Sequence, residues 1–183
     1  MTIEEKAEIS KFIIEQALKQ YPRIFAACSF GKDSLVIADL VMQVNPEALF
    51  VGIDTGYEFP ETFTFAEHLI PELKMNFQWI HPPESARKQI EDEYGNILIK
   101  NNRYKCCAMK LPAIKEIIPE YDAWITGLRR DETDYRQEVK LMEEGDLVKF
   151  NPIAFWVEAD VWEYIKKHDL SYHSLYDEGY RSL

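Results

Sequence analysis

Six consecutive residues, Ser29, Phe30, Gly31, Lys32, Asp33 and Ser34, put two hydroxyls, a glycine, an ammonium and a carboxylate between an apolar run and a run of helical length. At a strand-to-helix turn the first backbone amides of the helix have no intrahelical acceptor and collect anionic oxygen. Gly31 would let backbone approach a phosphate closely, Ser29 and Ser34 add hydroxyl donors, and Lys32 adds charge. The spacing is not that of the eight-residue GxxxxGK[ST] loop, so P-loop NTPase chemistry is a poor fit. A plain turn with a solvated lysine is the competing reading.

Two further clusters carry chemistry. Asp54, Thr55 and Gly56 close a second apolar run, where the carboxyl ends of parallel strands bind ligands. Asp54 or Thr55 would bond a ribose hydroxyl or adenine there; an Asx turn is the alternative. Arg129, Arg130 and Arg136 bring three guanidinium groups to one segment, and the planar fork of arginine suits phosphate or sulfate oxygens. Pairing with Asp131, Glu132 and Asp134 is the bland account of the same arginines. Tyr57 and Phe59 are candidates to flank adenine, whereas Trp124, Trp156, Trp162 and the C-terminal tyrosines read as packing residues. The histidines have no ligand spacing.

The elements that must hold these groups alternate. A capping box, Thr2 with Glu5, opens a helix to about Lys19, with Ile9, Phe12, Ile13 and Ala17 at helical spacing. Strands are expected at 23–30, 48–54, 77–80 and 123–127, with an edge strand carrying Pro152 at 147–153. Helices are expected from Asp33 over 33–44, from Pro60 over 60–73, and at 84–94, 110–118 and 158–169. Residues 95–110 and 128–137 read as loops. This alternation predicts an α/β, Rossmann-like parallel sheet with helices on both faces, in one domain over 1–183.

Composition narrows the function. With 32 acidic against 21 basic residues the net charge is −11, which argues against a dedicated nucleic-acid binder but allows a small anion in a cleft where a few cations converge. No apolar run approaches a membrane span and the N-terminus is too polar for an export signal, so the expected compartment is the cytoplasm, away from membranes. The three cysteines, Cys28, Cys106 and Cys107, are no disulfide framework. Cys28 lies in a strand and reads as a buried small residue. The adjacent Cys106 and Cys107 are incidental, metal-binding or redox-active.

The segment SFGKDS resembles the PP-loop of the adenine nucleotide alpha hydrolase-like superfamily, usually SGGxDS, with Phe30 where the pattern has its first glycine. VGIDTGYEFPETFTFAEHL (51–69), WITGLRRDETDYR (124–136) and FNPIAFWVEADVWEYIKKHDLSYHSLYDEGYRS (150–182) resemble, in order, segments of the phosphoadenylyl-sulfate and adenylyl-sulfate reductases. That resemblance implies reduction of adenylyl sulfate or its 3′-phosphorylated form to sulfite and an adenosine phosphate, in sulfate assimilation. It implies nucleotide contacts from Ser29 to Ser34, Asp54, Thr55, Gly56, Gly127, Arg129 and Arg130, and catalytic roles for Lys110, Arg129 and Arg136. The family's lysine falls one residue later than Lys110. The cluster-bearing members hold a [4Fe–4S] cluster on a Cys-Cys pair, here Cys106 and Cys107, with a Cys-x-x-Cys pair after the YDEGYRSL-like segment; two of the four ligands are in this sequence. The family's nucleophile is a cysteine in a Glu-Cys-Gly tail, a motif these 183 residues lack, and its reductant is thioredoxin or a similar thiol donor. The Cys-Cys pair favours adenylyl sulfate as substrate. An ATP-dependent sulfate or flavin adenylyltransferase of the same superfamily, or a non-catalytic nucleotide-binding module, is the alternative. A homo-oligomer is compatible with all of these.

Overall fold

A computed structural model describes residues 1–95 and 106–181. Helix α1 (Ile3–Gln20) starts at the expected box: the Glu5 amide donates to Thr2 Oγ1 at 3.3 Å and the Thr2 amide to the Glu5 carboxylate at 2.8 Å. Its buried stripe is Ile3, Ala7, Ser10, Ile14 and Ala17, whereas Ile9 and Phe12 face outward. The face expected from apolar periodicity is therefore rotated. Ser10 is the reason: it donates to the Pro152 carbonyl at 2.8 Å and accepts from Trp156 Nε1 at 3.1 Å, so a polar residue is held in the core.

Five strands, β1 (Ile24–Ala27), β2 (Leu49–Ile53), β3 (Asn76–Ile80), β4 (Ala123–Ile125) and β6 (Val148–Phe150), run parallel. The two-residue β5 (Met142–Glu143) pairs antiparallel with β6. The order is β3-β2-β1-β4-β6-β5, so the progression reverses between β1 and β4. The segment carrying Pro152 was expected at the sheet edge, yet β6 lies between β4 and β5, and Pro152 falls beyond it. β5 is too short to carry any alternation, which hid it in the sequence.

Helices cover both faces. The larger core joins α1, α2 (Lys32–Val44), α3 (Pro60–Glu72) and α6 (Glu158–Lys167) to one face through residues such as Ile14, Ile37, Leu40, Ala66, Leu69 and Tyr164. On the other face Phe25, Val51 and Ile80 meet Ala113 and Ile117 of α5 (Lys110–Ile117). Helix α4 (Glu84–Tyr94) buries no residue and runs beside the short 3₁₀ turn Cys106–Met109 that precedes α5. Pro71 is accommodated inside the last turn of α3.

Candidate active site

Ligand-binding crevices form outside the carboxyl ends of parallel strands where the strand order reverses. Here that point lies between β1 and β4, and the segments leaving these strands are 28–31 and 126–136. The second of these packs on the first turn of α2 because residue 127 is glycine. A Cβ at Gly127 would lie 3.0 Å from the Asp33 carbonyl carbon, 3.1 Å from its oxygen and 3.2 Å from the Ser34 nitrogen. The crevice they border holds a cavity of about 380 Å³, within the usual range for small-ligand sites.

The cavity has two kinds of wall. Phe25, Val51, Ile53, Ile80, Ile114 and Trp124 form an apolar slot between the sheet and α5. Ser29, Gly31, Ser34, Gly127, Lys110 and Arg136 line a polar end, with the carboxylates of Asp33 and Glu132 and the phenol of Tyr176. Ser34 Oγ organises the turn: it accepts from the Ser29 amide at 3.2 Å and donates to the Gly31 carbonyl at 2.9 Å. Gly31 caps α2 and has no side chain of its own to bond the first-turn amides. Phe30 adopts φ 60°, the left-handed region where the superfamily pattern carries glycine. Its ring is fully buried against Phe65, Phe77 and Trp79, so aromatic packing holds the strained backbone and Phe30 offers the site main chain only.

The carboxylates of the cleft are each paired with an arginine. Arg129, 2% exposed, donates from Nε to Asp33 Oδ1 at 2.5 Å and from Nη1 to Asp131. Burial works against the Arg129 charge, but Asp33, Asp131 and Glu132 outweigh it and raise its pKa. Arg136 pairs with Glu132. Lys110 has no ion pair among the described residues and borders the cavity. Lys32 is buried, and its ammonium points away from the apolar slot, 2.9 Å from the Arg181 carbonyl and 3.5 Å from the carboxylates of Asp33 and Glu158. It lies in a second hollow of about 440 Å³ with Arg129, Arg181 and Glu158, which adjoins the first at Glu132 and Arg136.

Other sequence candidates lie elsewhere. Thr55 is buried, and both its amide and its hydroxyl bond the Glu58 carboxylate, at 2.9 and 2.8 Å. Asp54 accepts from the Gly56 amide at 2.7 Å, the Asx turn. Gly56, at φ 81°, lies against the Arg87 guanidinium. Arg130 is exposed and bonds the Val139 carbonyl at 2.7 Å. Tyr57 donates to Glu91, and Phe59 meets Tyr180 edge-on. None of these six borders the main cavity. Of the cysteines, Cys28 is buried beside the cavity, and burial pushes its thiol up to about 11, so it stays protonated. The side chains of Cys106 and Cys107 lie outside the described residues.

Trp124 and Tyr176 border the cavity although the sequence marks them only as packing residues. The 3₁₀ turn Ser174–Tyr176 that carries Tyr176 is anchored by His173, whose Nδ1 accepts from the Leu175 amide at 3.2 Å. The neutral ring then donates from Nε2 to Thr62 Oγ1, 3.1 Å away. Burial lowers the His173 pKa from 6.5 against the opposing pull of Glu61. An unfolded chain therefore takes up this proton first, and stability present above about pH 6.5 is lost as pH falls toward the lowered folded value. Thermal midpoints should drop over that interval, and the dependence should flatten in His173→Asn; an equal slope in both proteins would remove His173 as its source.

The family model for the phosphoadenosine phosphosulfate reductase domain matches residues 23–183. The chain belongs to this family. An adenosine 5′-phosphosulfate reductase of Staphylococcus haemolyticus is 35% identical over 179 residues, spanning 93% of this chain and 72% of that protein. A phosphoadenosine 5′-phosphosulfate reductase of Xanthomonas axonopodis is also 35% identical, over 175 residues, 91% of this chain and 72% of that protein. In fold, a phosphoadenylyl-sulfate reductase from Candida auris superposes with a TM-score of 0.76 at 21% identity, covering 99% of this chain and 92% of its own. A Candida glabrata FMN adenylyltransferase shares the fold at TM-score 0.67 and 15% identity, covering 95% of this chain and 58% of its own. These neighbours bear out the adenine nucleotide alpha hydrolase-like fold.

Proposed function

We propose that this reductase domain binds adenylyl sulfate in the β1–β4 crevice, with adenine in the apolar slot and the phosphosulfate over residues 29–34. One observation carries this reading: a single cavity joins an apolar wall at Trp124 and Ile114 to a hydroxyl- and cation-lined end at Ser29, Lys110 and Arg136. First-turn amides of α2 and the Lys110 ammonium would meet the anion, while the Arg136 guanidinium lies beside it. The 3′-phosphorylated substrate would need further cations at the ribose, yet Lys32 and Arg129 are already tied to other groups. Together with Cys106 and Cys107, this favours adenylyl sulfate.

In the reaction implied for this class, a cysteine thiolate attacks the sulfate sulfur, an S–S bond forms, and the S–O bond to the phosphate breaks as AMP leaves. A thiol donor such as thioredoxin would then reduce the S-sulfonate and release sulfite. Lys110 and Arg136 would stabilise charge gathering on the leaving phosphate. Cys28, buried and protonated, is unsuited to be the attacking group. A [4Fe–4S] cluster takes four thiolates as a rule, and among the described residues no group of three or more histidine, cysteine or acidic side chains converges. Cys106 and Cys107 would supply two of the four thiolates of such a cluster.

The adenylyltransferase alternative has support from fold alone. Magnesium bound with nucleotide phosphates commonly uses one or two free carboxylates, whereas Asp33 and Glu132 are held by arginines. Among the described residues no helix is long and apolar enough to cross a membrane.

Calorimetry should give micromolar binding of AMP and adenosine 5′-phosphosulfate, about −8 kcal/mol, without added magnesium. Lys110→Ala should weaken both about tenfold or more. Tight binding of ATP only with magnesium, accompanied by pyrophosphate release, would transfer the site to the adenylyltransferases.

A further inference from the structure

Tyr176 is bound to the nucleotide turn by a contact that leaves its own proton unused. The Lys32 amide, first in α2, donates to Tyr176 Oη at 2.9 Å. The phenol has no acceptor for its O–H among the described residues, and Tyr176 borders the main cavity. Its oxygen would lie 3.3 Å from a Cβ built on Gly31, so it sits directly over the glycine of the turn. The ring is fixed from three sides. Trp162 meets it edge-on at 5.3 Å, the Lys32 ammonium lies 5.3 Å from its centroid, and His173 caps the preceding turn.

We propose that the Tyr176 hydroxyl is a binding residue of the cleft, donating its proton to an oxygen of the nucleotide's 5′-phosphate while it accepts from the Lys32 amide. This rests on the nucleotide reading of the site. An oxygen that accepts from a helix-terminal amide is polarised toward stronger donation, so the phenol extends the positive end of α2 into the cavity. Burial, the largest influence, pushes the phenol up to about 12, and the opposing pull of the Lys32 amide does not cancel it. The proton therefore stays available across the neutral range. Without a side chain at residue 31, anion and phenol can share the turn.

Tyr176→Phe keeps the ring and removes only the donor. By titration, its affinity for AMP should fall about 10- to 100-fold, the size expected for a hydrogen bond to a charged group. Its weaker binding of adenosine, which lacks the phosphate, should be unchanged. Tyr172→Phe, which removes a hydroxyl bonded to Asp177 across the same tryptophan, should match wild type with both ligands. Wild-type AMP affinity in Tyr176→Phe would overturn the proposal while leaving the nucleotide site standing, and tighter binding would recast the phenol as a competitor for the turn. An equal loss for adenosine and AMP would make Tyr176 structural. If the wild-type chain binds neither ligand, the nucleotide reading itself falls, and this proposal with it.

Discussion

Arg129→Met is expected to lower the stability of the chain by about 3 kcal/mol, a loss readable from the denaturation midpoint at constant slope. Arg129 is among the largest fully buried side chains, and two carboxylates depend on it, Asp33 of the nucleotide turn and Asp131 of the β4 segment. Methionine fills much of the volume but leaves Asp131 without its cation and Asp33 with only the longer Lys32 pair at 3.5 Å, and breaking a buried pair from one side costs about 3–5 kcal/mol. The lower end applies because Asp33 and Asp131 keep 17% and 33% exposure, so water takes up part of their charge. Asp33→Asn in the same chain should recover part of the loss, giving clearly non-additive single and double variants. Additive effects would mean that the two side chains do not depend on each other.

Gly127→Ala should separate the two segments that make the cleft. The new methyl would press on the backbone of Asp33 and Ser34 at 3.0–3.2 Å, and backbone in the first turn of α2 cannot rotate aside as a side-chain tip can. Overpacking of this kind costs about 1–3 kcal/mol. The displacement falls on the anion-binding amides, so affinity for AMP should drop about tenfold or more even in protein that remains folded. Gly145→Ala is the matched control, because its Cβ would meet only the Leu147 carbonyl at an ordinary 3.5 Å. Wild-type AMP affinity in Gly127→Ala would show that the turn tolerates the shift and that close approach is not what residue 127 provides.

The alternating elements and the turn at 29–34 were legible because periodicity and local composition report local structure. The strand-to-helix junction at Gly31 needs only an apolar run, a small residue and a helical run in succession. Long-range partnerships were less visible. Nothing near Arg129 in the sequence reveals that its main partner is Asp33, 96 positions away, although pairing with nearby Asp131 was the competing reading and also holds. Asp54 and Thr55 lie after a parallel strand, as nucleotide ligands often do, but a carboxylate three residues on, Glu58, satisfies Thr55 locally. Tyr176 reads as one aromatic among several, and only the return of the C-terminal segment over the turn brings its hydroxyl to the Lys32 amide. Burial of Ser10 likewise depends on Pro152 and Trp156, far along the chain, which is why apolar spacing alone turned α1 the wrong way.

One crevice between β1 and β4 is expected to receive an adenylate with its base against the sheet face and its anion over the turn. A crystal structure of the chain with adenosine 5′-phosphosulfate or AMP tests this directly. Adenine density is expected between Trp124 and Ile114, and phosphate oxygens within hydrogen-bond distance of Ser29, the first-turn amides of α2 and Lys110. Nucleotide density at any other place on the chain, with this crevice filled by solvent at saturating ligand, would contradict it.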